Sequence, residues 1–301
     1  LDATTGDVAD GSVPAHTTLS FGTLKRGALL RREHVGQLVL LDIGLGVHGD
    51  VPGEHDDSAW RWAPPRTLGA LLHRFADADR WTAHKGTRGR VGIAGGDAGM
   101  AGAVVLACRA ALRTGAGLVH AIVDDASVAA VQALVPQALA HRWPSQPVSR
   151  RAHEQTPAGR PSHVAHPTPS QANAEPRYDA LAIGPGLGRA RHSATVMQRL
   201  LDSYRGTPLV LDADALWLAA DAANALGTDT ASMLRHWVRD TTHIVCTPHP
   251  GEFSRLLGTP LPNAWEERAV LLAQFAARAN CTVLLKGTPR WSLPRKTNRC
   301  G

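Results

Sequence analysis

The sequence is poor in aromatic residues and in cysteine, and it has no long apolar run. Phe, Trp and Tyr make up 5% of its 301 residues, and its four cysteines are too far apart to form a Cys-x-x-Cys pair. Neither a zinc knuckle nor a disulfide framework is indicated, and a reducing cytoplasm is the simpler compartment. No stretch approaches the ~20 apolar residues that span a bilayer, and no signal sequence opens the chain. We therefore expect a cytoplasmic protein without a membrane partner.

The rest of the composition is that of an ordinary globular protein. Apolar residues make up 44% and charged residues 19%, and the length allows one large domain or a domain with a fragment of another. The cationic residues behind the net charge of +6 are mostly arginines, which are scattered along the chain. We therefore expect no nucleic-acid partner, whereas an anionic small-molecule substrate would be equally well served by local positive charge.

The first part of the chain differs from the rest. Residues 1–48 hold turn residues and apolar runs at 17–21 and 37–43, which predicts two strands and a connection without an amphipathic helix. This is too little for an independent domain, so we expect the end of one. Because the chain opens on Leu1, we also expect it to begin inside a longer protein. Residues 49–80, rich in Gly, Pro, Asp, His and Trp, are predicted to be a linker and lead-in to a domain at 81–301.

In the main domain, short apolar runs alternate with helical patterns, which predicts a parallel α/β sheet covered on both faces. The predicted strands are residues 90–94, 118–123, 180–183, 208–211, 243–246 and 282–285, and the helical stretches include 101–112, 127–140 and 263–279. Residues 143–177 interrupt the pattern with Pro, Ser, His, Gln and Ala, which predicts a disordered insertion in a surface loop. Its histidines, His153, His163 and His166, are interpreted as solvated residues and not as metal ligands.

Glycine-rich phrases follow two of the predicted strands. GGDAGMAGA (residues 95–103) opens a helix, where backbone N–H groups and the helix dipole favour an anion. It is neither a Walker A loop nor a GxGxxG fingerprint, and a tight turn would explain it equally well. GPGLG (residues 184–188) allows close approach of the backbone to a ligand, although a structural turn would also need some of these glycines.

Two further phrases place polar side chains after strands. LDADAL (residues 211–216) puts Asp212 and Asp214 at the sheet edge, where they either cap the next helix or serve catalysis or Mg²⁺ binding. TPHPGEF (residues 247–253) holds His249 between two prolines, which suits a positioned hydrogen-bond donor or an acid/base. The alternative is a turn histidine with Glu252 in the first helical turn. The sequence does not decide between the two roles of the aspartates, or between the two roles of His249.

The order of these phrases resembles that of the NAD(P)HX dehydratase family over residues 81–287. The series is HKG at 84–86, GGDAGMAGA, RTGAGLV at 113–119, GPGLG, LDADAL, TPHPGEF and LKG at 285–287. The resemblance implies a ribokinase-like three-layer α/β/α domain and a carbon–oxygen lyase acting on a small molecule. With ADP or ATP, and with Mg²⁺, such an enzyme dehydrates the S form of hydrated NADH or NADPH. A homo-oligomer remains open.

The resemblance also implies roles for single residues. Three line the hydrated nicotinamide nucleotide: Ala103, Gly186 and His249. Lys286 and Gly287 begin the loop that meets the adenine nucleotide. The supporting candidates are Asp212, Asp214 and Glu252, and no metal ligands are assigned.

Residues 1–48 resemble the end of a second domain, the Rossmann-like NAD(P)HX epimerase domain that precedes the dehydratase in bifunctional members. The epimerase's substrate and potassium sites lie mostly upstream of this segment in that family. We therefore expect no epimerase activity from this chain.

The tail departs from the family. Members continue into a strand and a Gly-Ser/Thr-Gly-Asp loop, which supplies an anion hole and an aspartate base. Residues 288–301 (TPRWSLPRKTNRCG) have neither that loop nor the alternation of a strand, so the domain is predicted to be C-terminally truncated, with an aberrant tail from about residue 289. RWSLP can be encoded as CGG TGG TCG CTG CCG, which read two positions later gives Val-Val-Ala-Ala, and we hypothesise a frameshift near Pro289.

Loss of that loop would leave the chain nearly inactive, because an anion hole contributes ~10²–10³ in rate and a general base ~10²–10⁴. Two alternative functions are also considered. A ribokinase-like vitamin-precursor kinase would share the fold, but the HKG, PHPGE and GAGLV phrases disfavour it. A catalytically dead nucleotide-binding remnant would bind without turnover.

Overall fold

The computed structural model of the chain describes residues 1–22, 24–41, 43, 83–144, 177–239, 241 and 243–287, and the backbone of 291–293. The chain forms two compact units. The smaller comprises Leu1–Ala83, Pro262–Ala269 and Leu285–Ser292, and the larger comprises His84–Leu261, Val270–Leu284 and Leu293–Gly301, as far as each is described. The predicted linker at 49–80 lies outside the described residues.

The smaller unit contains the two strands predicted near the start of the chain. Strands β1 (Thr17–Phe21) and β2 (Gln37–Leu41) are parallel and pair along their whole length. The connection holds two short helices, α1 (Arg26–Leu30) and α2 (Arg32–Val35), which sequence analysis missed because so few residues show no helical period. Leu19 and Phe21 are 52% and 55% exposed, so this small sheet has little core of its own.

The larger unit is built on a sheet whose strands are all parallel. The six predicted strands are confirmed to within one residue, and the structure adds β5, which was not predicted. The strands are β3 (Arg90–Ala94), β4 (Leu118–Val123), β5 (Leu139–Arg142), β6 (Ala180–Ile183), β7 (Leu209–Leu211), β8 (Ile244–Cys246) and β9 (Thr282–Leu285). Their order across the sheet is β9-β8-β7-β6-β3-β4-β5. Strand β4 is buried along almost its entire length, as expected for a strand covered on both faces.

Helices connect these strands. They are α3 (Ala101–Arg113), α4 (Asp125–Leu134), α5 (Arg191–Ser203), α6 (Asp214–Ala225), α7 (Thr230–Trp237), α8 (Pro250–Leu257) and α9 (Trp265–Ala279). From β3 the chain runs outward to β4 and β5, then returns to β6 on the other side of β3 and continues to β9. Because parallel crossovers are right-handed, this reversal places α3 and α4 on one face of the sheet and α5 to α8 on the other.

One predicted helix was too long. The prediction ran from 127 to 140, whereas α4 ends at Leu134 and residues 139–142 form β5. Pro136 explains the difference, because it has no N–H to donate and disfavours helical backbone at the residue before it.

The predicted insertion at 143–177 also needs a correction at its start. The Trp143 N–H donates to the Val123 carbonyl (2.8 Å), and the Arg199 guanidinium donates to the Pro144 carbonyl (3.0 Å). Both residues therefore belong to the folded domain. Residues 145–176, including His153, His163 and His166, lie outside the described residues.

The tail contains a strand that the sequence did not predict. Residues Trp291–Leu293 form β10, which follows β9 in the strand order. The expectation of no strand after residue 289 is wrong for these residues, because the edge of a sheet offers unpaired backbone groups even to a short segment. Residues 288–290 and 294–301 lie outside the described residues, and the frameshift stays a hypothesis. No helix among the described residues is both long and apolar enough to cross a membrane.

Two histidines meet between β4 and β5. His120 Nδ1 and His141 Nε2 are 2.8 Å apart, the rings stack at 5.0 Å, and Tyr178 meets His120 edge-on at 5.2 Å. Burial lowers the pKa of His120 below its usual range, and the nearby His141 and Arg90 lower it further. Burial also lowers the pKa of His141. The fold therefore favours the neutral pair.

This pair should make the stability of the protein depend on pH. Both folded-state pKa values lie below the ordinary value of 6.5, so the unfolded chain binds more protons as the pH falls through that value. The free energy of unfolding should decrease below pH 6.5 and level off below the folded-state pKa values. Urea unfolding of the wild type and of the His120→Leu/His141→Leu double variant on both sides of that pH would measure this. The double variant should lose less stability on acidification, whereas His236→Gln, on the surface of α7, should behave as wild type. An equal loss in all three proteins would contradict the prediction.

Candidate functional site

The glycine-rich loops of the candidate site begin at the point in the sheet where the strand order reverses. Strands β3 and β6 are neighbours, with Ala94 opposite Ile183 at their carboxyl ends, and the chain leaves them in opposite directions. Open α/β sheets bind ligands in the crevice outside the carboxyl ends of strands at such a point. The GGDAGMAGA and GPGLG loops both begin there.

These two loops are joined to each other through their backbones. The Gly96 N–H donates to the Pro185 carbonyl (3.0 Å), and the Asp97 N–H donates to the Gly186 carbonyl (2.7 Å). A Cβ at Gly95 would clash with the Pro185 carbonyl, so only glycine permits this approach. The two loops therefore approach each other closely, while the predicted approach of GPGLG to a ligand stays a prediction.

Two of the predicted substrate-binding residues lie side by side. A Cβ added at Gly186 would be 3.3 Å from the Ala103 Cβ and 2.9 Å from the Met100 carbonyl oxygen, and the φ angle of Gly186 is +61°. Ala103 and Gly186 are both half-buried. They lie at the start of α3 together with Met100, whose Cβ would be 3.0 Å from a Cβ at Gly186.

The two aspartates of LDADAL have different surroundings. Asp214, 8% exposed, accepts the Gly188 N–H (3.0 Å) and the Arg189 Nε–H (2.8 Å). It therefore holds the GPGLG loop in place. The residue at the N-cap of α6 is Ala213, so neither aspartate occupies the N-cap position itself. The backbone of Asp212 packs beneath Gly184, where a Cβ would clash with the Asp212 carbonyl.

His249 and Glu252 form a reciprocal cap on α8. His249 Nδ1 accepts the N–H groups of Gly251 (3.0 Å) and Glu252 (3.3 Å), while Glu252 Oε2 accepts the His249 N–H (2.8 Å). Because Nδ1 is an acceptor, the neutral ring carries its proton on Nε2, which lies 3.4 Å from Glu252 Oε1. The His249 side chain is 57% exposed. The turn reading of this histidine is therefore confirmed, and Nε2–H remains accessible as a donor.

The structure adds polar neighbours that sequence reasoning missed. His192 Nε2 is 3.4 Å from Asp97 Oδ1, and the Trp143 ring lies 5.8 Å from that of His192. The Trp143 indole N–H donates to the Gly95 carbonyl (2.9 Å), and the buried Ser193 Oγ lies 3.0 Å from the Cβ position of Gly188. Only Asp97 stood in a recognisable motif; the other three carry no signal in the sequence.

Lys286 and Gly287 follow β9 directly, as predicted, and fall in the smaller unit. Lys286 is half-buried, and Gly287 has a φ of +146°, which favours glycine. Among the described residues, no three His, Cys, Asp or Glu side chains come together in a way that could hold a metal ion.

Open parallel α/β sheets with polar and glycine-rich loops at a switch point typically bind small molecules at that edge. Comparison with known proteins identifies the family. Residues 91–291 match the NAD(P)H-hydrate dehydratase family profile. The chain is 35% identical over 294 residues to the bifunctional NAD(P)H-hydrate repair enzyme of Moorella thermoacetica, covering 95% of this chain and 49% of that enzyme. The corresponding enzyme of Vibrio cholerae is 30% identical over 287 residues, with the same coverage.

Solved structures agree with this assignment. The ADP/ATP-dependent NAD(P)H-hydrate dehydratase of Bacillus subtilis, co-crystallised with ATP and Mg²⁺, is 26% identical with a TM-score of 0.50, over 70% of this chain and 62% of that one. A hypothetical protein of Streptococcus mutans shares the fold at 22% identity and a TM-score of 0.54, over 76% of this chain and 70% of that one. The chain belongs to the NAD(P)H-hydrate dehydratase family, and the predicted ribokinase-like α/β fold is confirmed. It spans about half the length of the curated relatives it matches.

The bond from Asp214 to the second glycine loop can be tested by substitution. Asp214→Ala should lower the free energy of unfolding by about 2 kcal/mol, because the buried Gly188 N–H loses a charged acceptor. The exposed Arg189 should contribute little of this. Asp214→Asn, which keeps an acceptor oxygen, should lose less. Asp221→Ala, at an exposed position of the same helix, is the matched control in urea unfolding. Equal stability of the Asp214→Ala and Asp221→Ala proteins would refute this role.

Proposed function

We propose that this chain binds hydrated NADH or NADPH at the switch point between β3 and β6 and serves its dehydration, with ADP or ATP as co-substrate. The observation that carries the proposal is the proximity of Ala103 and Gly186, two residues that the family resemblance places at the substrate: a Cβ built at Gly186 would lie 3.3 Å from the Ala103 Cβ. The family match over residues 91–291 supports the same chemistry.

The front of α3 has the properties that such a ligand requires. A Cβ at Gly99 or Gly102 would meet no heavy atom within 4 Å, so the space before the helix is open. The first turn of α3 has no acidic side chain and no side-chain cap. Backbone N–H groups and the helix dipole would there favour the phosphates of a nucleotide.

His249 would act as a hydrogen-bond donor to the substrate. Its Nδ1 is occupied by the cap of α8, so Nε2–H is the group that it can offer. Glu252 keeps the ring in place from the opposite side of the turn, 3.4 Å from Nε2. Both residues would therefore orient the substrate, and neither is assigned a proton transfer.

The co-substrate would meet Lys286 and Gly287, in accordance with the family resemblance. Mg²⁺ would arrive on the nucleotide phosphates, since the described residues offer it no cluster of three ligands and Mg²⁺ commonly binds through substrate phosphates. In the family's reaction, the added hydroxyl of the substrate loses its proton and takes the terminal phosphoryl group, releasing the shortened nucleotide. Phosphate then leaves together with a proton from the neighbouring ring carbon, which restores the double bond of the reduced ring. No base for this reaction is assigned among the described residues.

The purified chain can be tested with NADPH hydrate, with and without ADP or ATP. Calorimetry should detect binding of the hydrate, and the return of NADPH absorbance in the presence of nucleotide should report its dehydration. Hydroxymethylpyrimidine with ATP serves as the comparison, because a vitamin-precursor kinase would bind it instead. Failure to bind NADPH hydrate or NADPH would sink the proposed function.

Two substitutions of His249 separate its capping role from its proposed contact with the substrate. Asparagine is a good N-cap residue, so His249→Asn should keep the stability of the protein, whereas His249→Ala should lose about 1 kcal/mol of unfolding free energy. Neither variant retains the imidazole Nε2–H, so both should bind NADPH hydrate about 3- to 10-fold more weakly. Wild-type affinity in the stable His249→Asn protein would show that the ring serves the helix alone.

A further inference from the structure

Two arginines lie against one tryptophan beside the proposed site. The guanidinium carbon of Arg189 is 5.5 Å from the centroid of the Trp217 ring, and that of Arg255 is 5.8 Å from it. Arg189 directly follows the GPGLG loop, Trp217 is in α6, and Arg255 is on α8, the helix that His249 caps. Three elements that leave carboxyl ends of strands thus contribute to one cationic cluster.

One of the two positive charges of this cluster, that of Arg189, is paired with the Asp214 carboxylate. Arg189 uses its Nε–H for Asp214, which leaves its two terminal nitrogens with no acceptor among the described residues. Arg255 has no carboxylate or hydrogen-bond acceptor within the described part of the chain. Glu252, one turn before it on α8, is bonded to the His249 N–H. The two guanidinium groups therefore keep N–H groups without an acceptor among the described residues, and these point to an anionic ligand.

The tryptophan makes this arrangement suitable for phosphate. A guanidinium over an aromatic face gains cation–π energy and loses less freedom when it later forms hydrogen bonds. Its N–H groups keep the planar fork that matches phosphate oxygens. Both arginines are exposed, Arg189 with 57% of its side chain accessible, so a ligand can reach them without rearrangement of the core.

We propose that Arg189 and Arg255, held over Trp217, form a subsite for the phosphates of the dinucleotide substrate. This inference rests on the proposed function, because the cluster joins the loop of Gly186 to the helix capped by His249. A nicotinamide dinucleotide can present two kinds of phosphate there: the diphosphate shared by NADH and NADPH, and the 2′-phosphate of NADPH alone.

Arg255 offers the cleaner test, since it is exposed and contacts none of the loop backbone. Titrations of the 301-residue chain with NADPH and with NADH would compare wild type, Arg255→Ala and Arg255→Lys. Arg255→Ala should weaken binding about 10-fold or more, and Arg255→Lys should recover only part of it, because lysine restores the charge but not the fork. Binding by the Arg255→Ala protein should also depend less steeply on salt.

The matched control is Arg113→Ala, an exposed arginine at the other end of α3, which should leave both dissociation constants unchanged. Weaker binding of both dinucleotides would assign the subsite to the diphosphate, and weaker binding of NADPH alone would assign it to the 2′-phosphate. Unchanged binding of both by the Arg255→Ala protein would overturn the subsite and leave the proposed function standing. If the wild type bound neither dinucleotide, the proposed function would fail, and this inference with it.

Discussion

The site depends above all on the backbone contact between the two glycine loops at the switch point. Gly95 lies so close to the Pro185 carbonyl that no side chain fits between them, and the Asp97 N–H donates to the Gly186 carbonyl at 2.7 Å. These bonds join loops that are almost ninety residues apart in sequence, and they fix the distance between Ala103 and Gly186. The glycines lose more chain entropy on folding than other residues would, and the loop–loop hydrogen bonds offset that loss.

A third loop supports this contact from the side of β7. Ala213 adopts φ 49° and ψ −118°, a conformation that costs a non-glycine residue about 1–3 kcal/mol. The strain is sustained because the turn is held on both sides: Asp212 packs against Gly184, and Asp214 accepts the Gly188 N–H. A less strained turn would not present a carboxylate to the second loop from the first residue of a helix. The conformational strain at Ala213 thus accompanies the bonds that hold the GPGLG loop in place.

The sequence predicted those parts of the fold that local patterns encode. Short apolar runs identified six strands, and the predicted order of strands and loops places the motif residues at one edge of the sheet. Strand β5 was missed because its four residues, LAHR, have no apolar run of their own. The His120–His141 pair and the Trp217 cluster were missed for a different reason. They bring together residues from separate elements, and only the strand order, which no local pattern specifies, places those elements side by side.

The two readings of His249 that the sequence left open are not exclusive, because they concern different nitrogens of one ring. Capping α8 requires Nδ1 as an acceptor, and this fixes both the tautomer and the orientation of the imidazole. A ligand would meet Nε2–H, which the cap does not use and which lies 3.4 Å from Glu252 Oε1 on a half-exposed side chain. The hydrogen bonds that cap α8 therefore also hold the Nε2–H donor in place, and no further residues are needed to position the histidine. Preorganisation of this kind reduces the entropy that a ligand must overcome on binding.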